Sequence, residues 1–521
     1  MALWRDRRRR AGGTAFSCLV DNDVVMRAQS YIWLTALLSI QGCAPDQIHV
    51  HVTEDVDAPE YLALLARLGV KVIRVPPFDS RNAYCNKLTQ LPTFLQTRFR
   101  QVVLMDCDTA WVGSQALPTP RGVAAKIVDL PNPPPPMIED VFELAGLGDP
   151  DWTETSLQPT GDPDMTDRNN CNGGLYIFEQ GSLRAVAPVW RKWATWCIDH
   201  DERFGDYSQH ADQVSFALAL RELNRVVEPL PVAWNYPTHL PSSLLPDVEP
   251  QILHFHRELT ADFAIKGIGI PLVDKAIARI NDAVQASFAR HLTQSVFWDL
   301  RYVLDPDRGS GYGSRGSSLE IKQRLLEYST FGFEDKSVLD IGCGDLESTR
   351  HLRLPNYVGV DASVEALKVA QAKRPDLRFE SSWEGAQADA VMCLDVLIHQ
   401  TSESEFDDLL RRLITSTGER LIVSGYNAKN DYDSPVVAFH RPLRDEIEAS
   451  GLFHEVAVVG SYRDVEVVVA DKRAFGAAFH RNDMEAASFN RMASLTSRPD
   501  LLRHLADISR ASFGFYTKHA P

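Results

Sequence analysis

Twice along this chain, short apolar runs of strand length alternate with amphipathic runs of helix length. Between residues 16 and 128 the series reads FSCLV, MRAQSYIWLTALLSI, IHVHVT, PEYLALLARLG, VKVIRV and VVLMD. It starts again at SVLDIG and continues through YVGVD, SVEALKVAQAK, DAVMCLDV, FDDLLRRLITS and ERLIVSG, with VVGSYRDVEVVVADK reading as a terminal hairpin. Strands separated by helices imply α/β layers built on mainly parallel, doubly wound sheets. Two such series in 521 residues exceed one ordinary core, so two Rossmann-like domains are expected. The Gly- and Ser-rich DPDRGSGYGSRGSS at 305–318 marks the join. The expected layout is a first domain at 14–290, a linker at 291–318, a second domain at 319–475 and a polar helical extension at 476–521. PNPPPP at 131–136 predicts an exposed loop, and 146–170, rich in Asp, Pro and Thr, a long one.

Charge narrows the choice of partner. Lys plus Arg number 54 against 70 Asp plus Glu, a net charge of −16, which disfavours a general footprint on nucleic acid. The one basic cluster, Arg5–Arg10 within RDRRRR, reads either as a solvated terminus or as a peripheral contact with anionic lipid. No apolar stretch near it is long enough to span a bilayer. Eight scattered cysteines without a CxxC pair fit reduced thiols and a cytoplasmic location.

VVLMDCDTAW places Asp106 and Asp108 where a buried strand leaves the core. Asp after a strand is a common turn residue. Paired carboxylates at the carboxyl edge of an α/β sheet also suit Mg²⁺ or Mn²⁺. Before the pair comes Lys87 in NKL, and after it come the glycines of NGGLYIF, Asp212 and Gln213 opening a helix, and His254 at the end of a strand in ILHFH. Singly, Lys87 reads as well as a solvated helix residue, and His254 as a satisfied strand-end histidine.

In this order and spacing the set resembles the GT-A nucleotide-sugar glycosyltransferases, especially the retaining group that contains glycogenin and bacterial lipopolysaccharide glycosyltransferases. The likeness covers about Phe16 to Lys266. It implies that Asp106, Asp108 and His254 hold Mn²⁺ or Mg²⁺ on the donor diphosphate, and that Lys87 faces that diphosphate. Val20 and Asp21 to Asp23 would lie near the nucleobase and ribose, and Asn172, Gly173, Gly174, Asp212 and Gln213 would line the sugar and acceptor. The implied donor is a nucleotide sugar, a UDP-sugar by preference. The family's G-x-x-K-P-W after its late histidine is replaced here by HRELTADFAIKGIG.

The second series carries VLDIGCGDLES, a strand followed by D-x-G-x-G, and Asp361 ends the next strand. Glycines there let backbone approach a ligand, and an acidic residue one strand on accepts ribose hydroxyls. With ADAVMCLDVLIHQ and ERLIVSG, the pattern resembles class I methyltransferases that use S-adenosylmethionine (SAM), over residues 319–471. The resemblance implies that Asp340, Gly342 and Gly344 cradle the methionine part of SAM and that Asp361 holds its ribose. It also places Ser382 and Trp383 near adenine and Asp395 beside the methyl donor. His399, just past that strand, reads either as a general base or as a structural histidine. Tyr312 and Arg315 would meet a carboxylate, or belong to a flexible linker.

Together the resemblances imply a bifunctional enzyme acting on a saccharide or glycosylated acceptor: sugar transfer, with the retention of that glycosyltransferase group, and methylation, most readily on oxygen. Two alternatives stand beside this. One domain is catalytic and the other a recruiting module, or the first domain is a sugar nucleotidyltransferase; the latter normally opens with a glycine-rich basic loop that LVDNDVVMRAQ lacks.

Overall fold

In the computed structural model, the structure describes residues 13–97, 99–157, 164–260, 263–291, 294–426, 441–462 and 465–473. The expected extension at 476–521 and the Arg5–Arg10 cluster lie outside the described residues. The chain forms two compact units that divide between Ser287 and Phe288.

The strands of the first unit are β1 (Thr14–Val20), β2 (Ile48–Thr53), β3 (Lys71–Val75), β4 (Gln101–Met105), β5 (Thr109–Trp111) and β6 (Val123–Ile127). They continue with β7 (Trp152–Glu154), β8 (Met165–Asp167), β9 (Cys171–Glu179), β10 (Glu228–Pro229), β11 (Tyr236–Pro237) and β12 (Ile252–His254). Its helices are α1 (Val24–Thr35), α2 (Pro59–Leu68), α3 (Leu91–Leu95), α4 (Pro135–Leu144), α5 (Gln180–Asp199), α6 (Ala211–Glu222) and α7 (Pro271–His291).

Seven strands make the main sheet, in the order β10-β6-β9-β4-β1-β2-β3. β1 is parallel to β2 and β4, and β2 to β3, as the alternation of strand and helix requires. β9 is the exception: it runs antiparallel to both β4 and β6. The order reverses between β1 and β4, so the ends of those strands open onto a crevice where open α/β sheets bind ligands. A three-stranded sheet, β11-β12-β5, folds back beside it and brings Thr109 opposite His254.

Three local readings change. Pro135 and Pro136 form the first turn of α4, where a missing N–H costs nothing and a fixed φ is already helical. Gly173 and Gly174 lie inside β9, not ahead of it. The expected long loop at 146–170 holds the β7–β8 pair. Behind β9, Tyr176, Phe178, Trp190 and Phe216 pack with ring centroids 4.7–6.4 Å apart, which fixes α5 and α6 against the sheet. Trp190 Nε1 donates to the Asp212 carbonyl at 3.0 Å, so this core sets the start of α6.

The second unit contains α8 (Gln294–Leu304), α9 (Gly316–Ser329), α10 (Val364–Lys373), α11 (Glu403–Ser416) and α12 (Leu443–Ala449). Its strands are β13 (Ser337–Ile341), β14 (Asn356–Val360), β15 (Arg378–Glu380), β16 (Ala388–Cys393), β17 (Thr417–Gly425), β18 (Glu455–Tyr462) and β19 (Val465–Asp471). Their order is β15-β14-β13-β16-β17-β19-β18, parallel through β17 and closed by the antiparallel β18–β19 hairpin. Here the order reverses between β13 and β16.

The interval 291–318 is not a linker. α8 packs beside α10, and Asp299 Oδ1 accepts from Ser363 Oγ at 2.6 Å and from Glu365 N at 3.2 Å. Arg315 donates to Asp345 at 2.7 Å, and Ser310 Oγ donates to the same carboxylate at 2.8 Å. A composition that reads as flexible is pinned by these polar ties to the turn after β13. No helix among the described residues is long and apolar enough to cross a membrane.

Candidate functional site

In the first unit, β4 ends at Met105 and the chain turns through Asp106, Cys107 and Asp108 into β5. The turn is tied to β9 by Asp106 N donating to Gly174 O at 3.1 Å. Cys107 points inward, 3% exposed, with its Sγ donating to Gln29 Oε1 at 3.7 Å. The two carboxylates therefore lie on the crevice side and take different partners.

Asp106 faces Lys87, whose Nζ stands 3.1 Å from its Oδ1, 2.8 Å from Asp212 Oδ2 and 3.3 Å from Gly173 O. Burial pulls the Lys87 ammonium down, but the Asp106 and Asp212 carboxylates outweigh it and hold its pKa above the usual lysine range. Burial raises the Asp106 carboxyl despite the lysine, with Asp108 adding to the rise. A side chain on Gly173 would meet Lys87 Nζ at 2.5 Å, and one on Gly174 would meet His254 Nδ1 at the same distance. Gly174 is thus required by its close approach to the buried His254 ring, whereas a side chain at Gly173 would displace the end of Lys87.

Asp108 faces histidines instead. Its Oδ1 lies 3.3 Å from His254 Nε2 and its Oδ2 lies 3.7 Å from His256 Nδ1. Burial opposes its ionisation, yet His254 and then His256 hold it well below the carboxylate range. Burial, followed by the neighbouring His254, pushes His256 down to about 2. Asp108 Oδ1 and His254 Nε2 have only each other, at 3.3 Å, while His254 Nδ1 and His256 Nε2 are buried without a hydrogen-bond partner. Asp108, His254 and His256 each offer a ligand atom within 4.8 Å of the other two. A cluster of one carboxylate and two imidazoles whose buried polar atoms are incompletely paired fits a cation, which would supply the missing bonds.

Asn172 is a fixed hub in the same crevice. It donates to Asp129 Oδ2 at 3.0 Å and accepts from Gly174 N and Asn235 Nδ2, each at 3.0 Å. Gln213, one residue past Asp212, is half-buried. Asp21 sits at the end of β1 with a buried, unpartnered Oδ1, and burial, then Asp23, raises its pKa. Asp23 caps α1 through Val25 N at 2.6 Å and receives Arg257 at 3.0 Å. Lys266 pairs with Glu258 on the surface, 3.1 Å away, and takes no part in this cluster.

In the second unit, β13 ends in a turn through Gly342 (φ +76°) and Gly344 (φ +55°), a left-handed backbone that favours glycine. Gly344 N donates to Asp361 Oδ2 at 2.9 Å, so the turn and the end of β14 are locked together. Asp340 is buried beneath and accepts from Tyr357 Oη at 2.5 Å. Burial pushes both carboxyls up to about 6; a Tyr357 hydrogen bond opposes this at Asp340, and bonds from Ser363 and Gly344 oppose it at Asp361. A side chain on Gly344 would run into Ser310 Oγ.

Asp395 follows β16 at φ +59°, an uncommon conformation for a non-glycine residue. It accepts from Lys322 at 2.6 Å, from Ser424 Oγ at 3.1 Å and from Tyr462 Oη. His399 closes a short 3-10 turn, its ring edge-on to Trp298 at 5.3 Å and its carbonyl accepting from Gln294. Ser382 is exposed, and Trp383 packs on the α11 side with the Arg412 guanidinium over its ring at 4.4 Å. The side chain of Tyr312 lies outside what is described.

Residues 339–422 match the family model described as "Methyltransferase domain". The second unit carries a methyltransferase domain. Among solved structures, magnesium protoporphyrin IX methyltransferase from Synechocystis PCC 6803, with bound SAM, is 21% identical and covers 30% of this chain and 78% of its own (TM-score 0.24). An amino pentose methyltransferase from Micromonospora echinaspora is 17% identical, covering 31% of this chain and 94% of its own (TM-score 0.25). Mouse xyloside xylosyltransferase 1 is 11% identical, covering 47% and 98% (TM-score 0.30). No curated protein matches.

His256, Asp129, Gln29, Lys322, Tyr462 and Ser310 were not singled out from sequence. For His256 a signal existed: HFH puts two histidines at i and i+2, on one face of an extended segment. The others have no local pattern, because their partners are distant in the chain.

Proposed function

We propose that the chain is a bifunctional transferase. Its first unit moves a sugar from a nucleotide-sugar donor, and its second methylates a saccharide or glycosylated acceptor from SAM. The observation that carries the first half is the crevice at the β1–β4 switch point. There Lys87 spans Asp106 and Asp212, Asp108 meets His254 at 3.3 Å, and His254 Nδ1 is buried without a partner.

A divalent cation bound by Asp108 and His254 would neutralise charge developing on a leaving diphosphate. Lys87, already paired with Asp106, Asp212 and the Gly173 carbonyl, would present its positive charge to the same phosphates. Asp21 would accept from the nucleoside, and Asn172, fixed by Asp129 and Asn235, would orient the sugar. Asp212 and Gln213 would line the acceptor side.

In the second unit SAM supplies an electrophilic methyl group. Asp361 would accept from both ribose hydroxyls, and the Gly342–Gly344 turn would pass beneath the methionine portion. Asp395 already receives three donors, which makes it a poor base and a good anchor for the wall beside the methyl group. His399 would take the proton of an acceptor hydroxyl.

The test is mass spectrometry of the full chain incubated with a nucleotide-sugar panel, Mn²⁺ and SAM, with saccharide acceptors. Release of a nucleoside diphosphate together with a mass gain of one methyl on the glycan is the expected result. A panel with no donor turnover and no donor binding removes the glycosyl-transfer reading.

A further inference from the structure

The interval expected to be a linker sets an aromatic side chain against His399. Gln294, Trp298 and Arg301 recur at helical spacing on one face of α8. Trp298 keeps part of its indole exposed, and its neighbours hold the ring in place. Its Nε1 donates to Gln294 Oε1 at 3.2 Å, and the Arg301 guanidinium lies over it at 5.1 Å. The His399 imidazole meets it at 5.3 Å with planes inclined by 67°. Gln294 Nε2 also donates to the His399 carbonyl, so one amide orients both the indole and the turn after β16. Asp395, assigned to the wall beside the methyl group, opens the same turn. Gln294, and Gln400 and Thr401 directly after His399, are partly exposed.

A fixed indole offers a large apolar surface with little conformational entropy left to lose. Edged by amides and a hydroxyl, it suits a pyranose, which has a flat C–H face and a rim of hydroxyl groups. An aromatic acceptor would stack as well but would leave that polar rim unpaired. We infer that Trp298 is the platform on which the methyl acceptor lies, that the acceptor is a pyranoside, and that Gln294 is a positioning residue that sets the indole against His399. This rests on the reading of the second unit as a methyltransferase of saccharides and adds the residue that selects the ring.

The experiment follows S-adenosylhomocysteine formation by the full chain with methyl cellobioside, methyl maltoside and methyl xylobioside, beside phenol and benzylamine. Trp298→Ala should raise the saccharide KM at least about tenfold, with SAM affinity, read by calorimetry, unchanged. That unchanged affinity also shows that the variant folds. Trp298→Phe, which keeps a ring, should recover most of the loss. Gln294→Glu can still accept from the indole but cannot donate to the His399 carbonyl, so it should lower kcat and spare KM. Unaltered KM in Trp298→Ala, or unaltered kcat in Gln294→Glu, overturns the inference. So does a loss of SAM affinity in Trp298→Ala as large as the loss of acceptor affinity, which would put the indole on the donor. Saturation-transfer NMR with the same saccharides separates the two claims. Saccharide binding that depends on Trp298, with no methyl transferred, leaves the inference standing and removes the methylation reading. Saccharide methylation at an unchanged KM in Trp298→Ala does the reverse. Methylation of phenol or benzylamine with no saccharide bound overturns both.

Discussion

Lys87 is held by two carboxylates of unequal burial: Asp212 is 2% exposed, whereas the Asp106 side chain is 32% exposed. Replacing Lys87 with Met strands the Asp212 charge. Removing one partner of a buried pair costs about 3–5 kcal/mol, and partial exposure of Asp106 lowers the expected loss to about 2–3 kcal/mol. In an Asp212→Asn background the same substitution should cost much less, a difference that denaturant unfolding of all four proteins would read. Additive losses would show that the lysine does not stabilise through Asp212. Asp361 allows a second prediction. Its folded pKa of about 6 lies above the roughly 3.9 of an unfolded aspartate. Between those values the folded chain binds more protons, so this group's contribution to stability falls as pH rises through the window. Ribose recognition needs the ionised form, so SAM affinity should rise over the same range, about tenfold weaker at pH 5 than at 7.5. Calorimetry across pH checks this; Asp361→Asn should flatten the profile, and a flat wild-type profile would refute it. Of the residues in play, Asp106, Asp108, Lys87, Asp212 and His254 were legible because each carries chemistry at an element's edge. His256 was passed over since one strand-end histidine already met the expectation.

Elements bring those residues together, and α1 does so least obviously. From inside that helix Gln29 accepts the Cys107 thiol and donates to the His256 carbonyl, joining the turn after β4 to the turn after β12. Gln29→Ala leaves a buried carbonyl without its donor, a cost of about 1–2 kcal/mol. A measurable weakening of Mn²⁺ binding should accompany the lower unfolding midpoint. Unchanged metal affinity would mean that the HFH turn is held by β12 alone. The strand–helix alternation was readable because buried parallel strands are continuously apolar. The antiparallel course of β9 was not, since direction leaves no mark on NGGLYIF. Likewise the Gly- and Ser-rich run before α9 owes its order to Asp345, which only the folded turn after β13 presents.

For the whole molecule, the proposed function assigns separate chemistry to separate sheets. Asp108→Ala should abolish sugar transfer and spare methyl transfer; Asp340→Ala should do the opposite. Paired assays of nucleoside diphosphate release and S-adenosylhomocysteine formation would measure both. Loss of both activities from either substitution would contradict independent sites. The presence of two α/β units was evident from the repeated alternation. The first unit was expected to end at 290 and ends at Ser287; what was not evident is that α8 and the stretch after it fold with the second unit, because that stretch has the composition of a tether.

The pairing of β5 with β12 joins Thr109 to His254 and has a consequence in time. A growing chain can complete the β1–β4 edge and seat Lys87 on Asp106 long before the HFH turn has left the ribosome. Closing so long a loop is entropically slow and must await its distal end. A nascent chain stalled before residue 250 should therefore be compact around its main sheet and blind to metal, acquiring cation affinity only once translation has delivered the HFH turn.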